Sequence, residues 1–334
     1  MTVLSILDVC PILDGETSQE AAFGRTRELA QAAERLGYRR IWLSEHHNMP
    51  GTASSATAVL IGHVAAATRS IRVGSGGVML PNHAPYVVAE QFGTLATLYP
   101  GRIDLGLGRS PGTDGHTVRA LRRDPAGADH FPQDLQELQF FFAPASAGQA
   151  VRAIPGAGAE VPLWVLGSSL SSAQLAAAAG LPFVFAAHVQ PRELMRAIEL
   201  YRARFQPSPQ LAAPYVMPCI NVYAAETDQA ARRHFSSLQV GMVNFFRGRM
   251  GGLLPPVDDI EAIWTPQEKQ IIESMQAVAV VGSAKTVEAG LRNFIADTGA
   301  DEVMIAGHFH DPAARIRSLE LISEMQLTPL PVGG

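Results

Sequence analysis

The stretch Ile41-Trp42-Leu43-Ser44-Glu45-His46-His47-Asn48 decides the fold. A short apolar run stops abruptly in three ionisable side chains and an amide. A strand buried on both faces is apolar along its length and turns polar only where it emerges. This run therefore reads as a central strand that delivers polar groups to a pocket at its end. Upstream, residues 20–37 carry apolar positions at Ala21, Leu29, Ala32, Ala33 and Leu36 and stop at Gly37, which predicts a helix with a glycine C-cap. Residues 3–9 before it read as another strand. Strand, helix, strand at this spacing is a crossover unit of a parallel sheet.

The same rhythm continues downstream. Residues 55–68 form an alanine-rich helix, and Ile71 to Leu80 a strand interrupted by Gly74, Gly76 and Gly77. Residues 85–98 are helical up to Pro100-Gly101, and 102–108 are a strand. Residues 163–166 and 182–186 are strands around a helix at 170–180, followed by a helix at 191–205 and an extended run at 214–224. A helix at 285–298, a strand at 301–306 and a helix at 312–326 complete the pattern. About eight strand–helix units is the count of a TIM (β/α)8 barrel, with an open doubly wound sheet as the alternative. No composition break divides the chain, so 1–334 reads as one domain. Two stretches interrupt the repeat. Residues 110–130 look like a long loop after a strand. Residues 241–276, with Gly248, Gly251-Gly252 and Pro255-Pro256, read as an insertion or lid over the barrel mouth, or as a plain surface excursion.

Composition narrows the function. The chain has 334 residues, 47% of them hydrophobic, and a net charge of -5, so it can bury a large core. Slight acidity without a basic run argues against a nucleic-acid partner. No apolar run reaches the length of a membrane span, and the start of the chain lacks the pattern of a signal peptide. Cys10 and Cys219 lie in apolar segments without metal-type spacing and read as reduced core thiols. The expectation is a soluble cytoplasmic protein.

In a barrel, the strand C-termini converge on one face, which is where active sites lie. Five strands here end in polar or glycine clusters: Glu45 to Asn48, Gly74 to His83, Gly106 to Gly112, Leu166 to Ser172 and Gly307 to Asp311. In Gly167-Ser168-Ser169-Leu170-Ser171-Ser172, a glycine and hydroxyls stand between strand and helix. Free backbone N–H groups and serine hydroxyls there suit a phosphate, although one serine acting as an N-cap would give the same pattern. Arg109, at the end of the neighbouring strand, can add a charged fork to the same anion. Gly76-Gly77 inside an apolar strand marks a bulge, or the close approach of a backbone or flat ligand, with a cis peptide as a further option. Gly106-x-Gly108-x-x-x-Gly112 is set aside as a dinucleotide fingerprint, because Pro111, Asp114 and Gly115 follow where a helix would have to open. A metal centre built from His46, His47, His308, His310 and Asp311 is the outside alternative. His63 reads as a packing residue, and His188, after the sixth strand, as one that lines the pocket.

The sequence resembles the bacterial luciferase-like family of flavin-dependent monooxygenases over nearly its whole length. The segments that carry the likeness are 33–38, 42–47, 71–80, Ala89-Glu90-Gln91, 100–109 and Val281-Gly282-Ser283. Ser110-Pro111-Gly112-Thr113-Asp114 is similar to the single-subunit branch. The resemblance implies a TIM barrel that binds reduced FMN at its C-terminal mouth. It implies a catalytic His46, with Glu45 as its support, and a cis peptide under the flavin at Gly76-Gly77. It puts phosphate contacts at Arg109, Ser168 and Ser171, with backbone from Ser169 and Leu170; Ser110, beside Arg109, joins the cofactor-binding set. Gly108 stands where true luciferases carry a reactive cysteine, which argues against light emission.

The activity implied is oxygenation of a small organic substrate by O2 and reduced FMN supplied by a separate, transiently bound reductase. Imidazole titrates nearest working pH, which suits His46 to an acid/base role. A deazaflavin coenzyme used for hydride transfer on the same fold, and a non-catalytic flavin-binding protein, are the alternatives. Phe245, Phe246, Met250 and Leu253 suggest an apolar lid, hence an apolar substrate. The family's homodimer would form through early helices such as 55–68, where Ala56, Gly62 and Ala66 permit close packing; a monomeric mass by light scattering would refute it.

Overall fold

The computed structural model describes residues 2–327; Met1 and 328–334 of the expected domain lie outside the described residues. In chain order the elements are β1 (Val3–Asp8), α1 (Glu20–Arg35), β2 (Arg40–Leu43), α2 (Thr57–Ala66), β3 (Arg72–Met79), α3 (Pro85–Leu98), β4 (Ile103–Gly108), α4 (Gly115–Ala120) and α5 (Phe131–Phe142). There follow β5 (Leu163–Gly167), α6 (Leu170–Ala179), β6 (Phe183–Phe185), α7 (Leu194–Arg204), β7 (Val216–Ala225), α8 (Asp228–Phe246) and α9 (Pro266–Met275). The chain ends on β8 (Val280–Ser283), α10 (Ala284–Thr298), β9 (Glu302–Ala306) and α11 (Pro312–Ser323).

Strands β1 to β7 and β9 close into an eight-stranded parallel barrel, with β9 between β7 and β1. The TIM-barrel expectation holds. β8 stands outside the ring and pairs with the C-terminal half of β7, from Val222 to Ala225. The helices cover the outside, and the outward strand residues pack against them: Ile41, Val73, Leu105 and Val165 are fully buried.

The barrel interior is filled rather than open. Its N-terminal end holds a buried ion network. Arg40 donates to Asp104 at 2.7 Å and to Glu302 at 2.8 and 3.0 Å, and Arg72 adds a second fork to Asp104. Trp42 Nε1 and Tyr215 Oη donate to the same two carboxylates, and the Arg40 guanidinium lies 4.5 Å from the Trp164 ring centre. Above this network Leu7, Trp42, Trp164, Val184, Met217 and Met304 pack as an apolar layer. Charge and bulk thus close one end, and only the C-terminal end is left for a ligand.

The glycines of β3 and β4 follow from this packing. The Gly76–Gly77 peptide is cis, and the β3–β4 register shifts between Ser75 and Val78. A Cβ on Gly76 would meet Leu7 Cδ1 at 2.6 Å, and one on Gly77 the Gly106 carbonyl oxygen at 2.8 Å. The close approach that the sequence signals is therefore made by the barrel's own side chains and by the backbone of β4.

Two stretches depart from the sequence expectation. Residues 110–130 are not one loop. They contain α4, whose N-cap Asp114 accepts from the His116 and Thr117 N–H groups, and a 3-10 turn at Pro125–His130 that leads into α5. The run of Gly, Asp and Arg obscured a local cap. Within 241–276, the first residues are the last turns of α8, which starts behind the N-cap Thr227. The following loop returns to the barrel: Leu253 donates to Ile12 O at 2.7 Å and accepts from Asp14 N–H at 3.0 Å. Among the described residues no helix is long and apolar enough to cross a membrane.

Candidate active site

The opening run emerges from β2 as expected, but it divides its side chains between two sites. Glu45 is buried, and its Oε1 accepts from His47 Nε2 at 2.9 Å and His83 Nε2 at 2.7 Å. Its Oε2 faces the Met79 N–H at 3.3 Å. Burial works to raise the Glu45 pKa, but the hydrogen bonds from His47 and His83 outweigh it and hold the carboxyl below the usual range. The sequence reading has Glu45 supporting His46; the structure instead commits its carboxylate to His47 and His83, so its hydrogen bonds do not orient the His46 ring. A sequence separation of one residue conceals this, because successive side chains leaving a strand point to opposite sides.

The Glu45–His47–His83 cluster fastens the loop after β2 to the loop after β3. Further bonds carry the tie to the loop after β4: Asn48 Nδ2 to Asp114 Oδ2 at 2.8 Å, Thr113 Oγ1 to His47 O at 3.0 Å and Asn82 Nδ2 to Pro111 O at 2.8 Å. The three ligand atoms of Glu45, His47 and His83 lie within 4.8 Å of one another, and direct hydrogen bonds already account for that spacing. Among the described residues, His308 and His310 join no metal-type cluster with His46 or His47.

His46 faces the other way, into a cavity of about 540 Å³ at the barrel mouth. The cavity is bounded by the loop after β1, the loop after β2, the end of α8 and the loop 249–254, with His308 also in its wall. Phe245, Phe246, Met250 and Leu253 all line it, whereas residues 110–130 contribute nothing to its wall. His188, after β6, is not part of this wall, but its ring is close enough to His46 and His308 for their charges to influence one another. The Nδ1 atoms of His46, His188 and His308 are each buried without a hydrogen-bond partner. Burial lowers all three pKa values. It is the largest influence on His46, where the Glu45 charge and the Gly112 backbone oppose it. His188 and His308 are brought down to about 4, chiefly by burial; Arg315 adds to the effect at His308. All three are neutral imidazoles at neutral pH, able to accept or give a proton according to tautomer. Of the histidines expected at the mouth, His46 lines this cavity and His188 does not, while His308, expected only as a metal ligand, stands in its wall. The signal for His308 was its place directly after β9.

The residues expected to hold an anion lie at the ends of β4 and β5. Gly108 pairs with Leu166, so Arg109 and the Gly167-Ser168 turn leave adjacent strands together. Ser169 is the N-cap of α6: its hydroxyl accepts from Ser172 N–H, and its own N–H donates back to Ser172 Oγ at 3.3 Å. It also pairs with Ser171 Oγ at 2.9 Å. The capping and ligand readings of this cluster are therefore both live, on different atoms. Ser169 serves the helix, while Ser168 stands outside this capping network and Ser171 projects outward. Early N–H groups of a helix lack intrahelical partners, which leaves the Leu170 and Ser171 amides available to an anion. The Arg109 side chain is exposed and makes no hydrogen bond among the described residues; the Ser110 hydroxyl accepts from Gly112 N–H at 3.3 Å. This donor set, one guanidinium with hydroxyls and amides, fits the phosphate of a mononucleotide.

A family model described as luciferase-like monooxygenase matches residues 9–302. The chain belongs to the luciferase-like monooxygenase family. It is 49% identical over 323 residues to a luciferase-like monooxygenase of Escherichia coli K12, covering 96% of each chain. It is 40% identical over 244 residues to an N-acetyl-S-alkylcysteine monooxygenase of Bacillus subtilis, covering 71% of this chain and 72% of that one. The crystal structure of apo-MsnO8 superposes with a TM-score of 0.86 at 33% identity, covering 99% and 100% of the two chains. At 19% and 15% identity the likeness is one of fold. The oxygenating constituent of 3,6-diketocamphane monooxygenase from Pseudomonas putida, in complex with FMN, has a TM-score of 0.71 with coverage of 97% of each chain. An F420-dependent secondary alcohol dehydrogenase has a TM-score of 0.69, covering 97% and 98%. The resemblance read from the sequence thus holds: the protein is a monooxygenase-type oxidoreductase.

Proposed function

We propose that this protein oxidises a small, largely apolar organic molecule with O2 and reduced FMN, the flavin being delivered by a separate reductase that binds transiently. The observation that carries the reading is the neutral, half-buried His46 in the wall of a mostly apolar cavity, on the same barrel face as the candidate anion cradle at Arg109, Ser168 and Ser171. When bound, reduced flavin supplies the electrons and the site of oxygen activation. Arg109, Ser110, the Ser168 and Ser171 hydroxyls and the free Leu170 and Ser171 amides hold its phosphate, while the Ser169 N–H stays on the helix cap. The Gly76–Gly77 bulge, without side chains, offers a flat wall to the ring. His46 holds or moves a proton at the reacting atom, and its desolvated ring favours the neutral form that can accept one.

Residues 241–276 act as the lid that keeps bulk water out. Exposed apolar side chains on the early helices, Phe23 and Val59, which line one surface depression, support a homodimer through that face. Two separate buried thiols, Cys10 and Cys219, support a cytoplasmic setting.

The test is titration of the purified protein with reduced FMN and with reduced F420 under controlled oxygen, comparing native protein with His46→Ala. Tight binding of FMN by both, and substrate oxygenation reduced by about 100-fold in the variant, is the expected outcome. Full oxygenation by His46→Ala with FMN bound would end the assignment of His46. Preferential binding of F420 with no oxygen uptake would replace oxygenation by hydride transfer.

A further inference from the structure

The cavity that holds His46 has a polar feature that the flavin reading does not use. Most of its wall is apolar and adaptable, with Met49, Met242, Met250 and Met275 spread around it. The wall contains a single cationic side chain, Arg249, and a single acidic one, Asp14. Arg249 follows α8, and its position is fixed by its backbone N–H, which donates to Asn244 O at 2.8 Å. Its guanidinium makes no hydrogen bond or ion pair among the described residues. The contrast with Arg247, two positions earlier, is informative. That side chain is spent on structure, with both forks on Glu268 at 2.8 Å and a bond to Ile263 O at 3.0 Å. The loop that presents Arg249 is itself locked to the barrel. The glycine at 252 allows this, since a Cβ there would meet Asp14 N at 2.7 Å.

A mostly apolar pocket with one or two convergent polar groups binds ligands of matching polarity. An unpaired guanidinium is a fork for a carboxylate. We propose that the substrate is an amphiphilic organic acid, held with its single carboxylate on Arg249 and its apolar body along the methionines toward His46. The proposal rests on the monooxygenase reading only for the step from bound acid to substrate. Asp14, the one other charged group in the wall, disfavours a second negative charge on the ligand; His46 and His308, neutral at working pH, do not compete for the carboxylate.

The experiment uses the full chain without flavin and reads binding by calorimetry at low salt, with octanoate and octanamide as probes. A charge-assisted hydrogen bond predicts that octanoate binds about tenfold or more tightly than octanamide. Arg249→Met removes that preference and leaves octanamide unchanged, Arg249→Lys keeps part of it, and Asp14→Asn strengthens octanoate binding. Equal binding of acid and amide by the native protein, absence of binding by both, or a preference that survives Arg249→Met overturns the proposal. FMN titration of the same preparations separates this result from the function. Loss of FMN binding with the acid preference intact would remove the monooxygenase reading and leave the carboxylate site.

Discussion

At the scale of the residue, the neutral imidazoles near the barrel mouth carry a measurable consequence. A histidine free in the unfolded chain titrates near 6.5. His188 and His308 titrate in the folded protein at about 4, because burial disfavours their charged forms. Their folded pKa is depressed, so the stability they contribute is fully present above about pH 6.5 and is lost as the pH falls toward 4. At about 1.4 kcal/mol per pKa unit, each is worth on the order of 3–4 kcal/mol across that window. Urea denaturation at a series of pH values should show stability falling between pH 6.5 and 4 in native protein, and a shallower fall in His188→Gln with His308→Gln. An unchanged slope in the double variant would show that the two rings are not desolvated. The same residues mark the limit of reading a sequence locally. His46 was legible because it ends a recognisable strand. The division of labour between Glu45 and His46 was not, because it depends on where His83, distant in sequence, delivers its ring.

At the scale of the element, the bulge in β3 is the piece on which the mouth is built. The sequence marks it by two adjacent glycines in an apolar strand. It does not say whether the glycines make room for a ligand or for the protein. The structure shows protein on the inner side: Gly77 lies against the Gly106 carbonyl, and Gly106 against the Ser75 carbonyl. Gly77→Ala would press a methyl group on backbone that cannot rotate away, at a cost of about 1–3 kcal/mol for overpacking. Thermal denaturation should register that loss, and FMN affinity should fall with it if the bulge is also the wall of the flavin site. Normal stability with weakened FMN binding would assign these glycines to the ligand instead. Helices α4 and α8 make the complementary point. Each opens on a side-chain cap, Asp114 and Thr227, that a reading by hydrophobic periodicity passed over.

At the scale of the whole molecule, the barrel is asymmetric along its axis. The N-terminal end is closed by Arg40, Asp104 and Glu302, all buried and mutually bonded. The C-terminal end is open and lined by neutral histidines. Replacing Arg40 by Met would leave two carboxylates buried with fewer partners, and breaking such a network typically costs about 3–5 kcal/mol. The expected result is a large drop in denaturation midpoint, with FMN affinity of the remaining folded protein unchanged because the network lies at the far end of the barrel. An effect on FMN affinity as large as that on stability would mean that the two ends are coupled.

The sequence by itself determined the alternation of strand and helix, a strand count that fits a barrel, and the strand ends at which polar groups gather, because these follow from periodicity, caps and the polarity of strand ends. Those signals are local, and each is complete within about ten residues. The division of Glu45 from His46, the convergence of His188 and His308, the unpaired Arg249 and the ion network under the barrel were decided only by the tertiary structure. Each depends on side chains that the closed ring of strands brings together from distant parts of the chain. Spacing along the sequence carries no record of which way those side chains turn once the ring has closed.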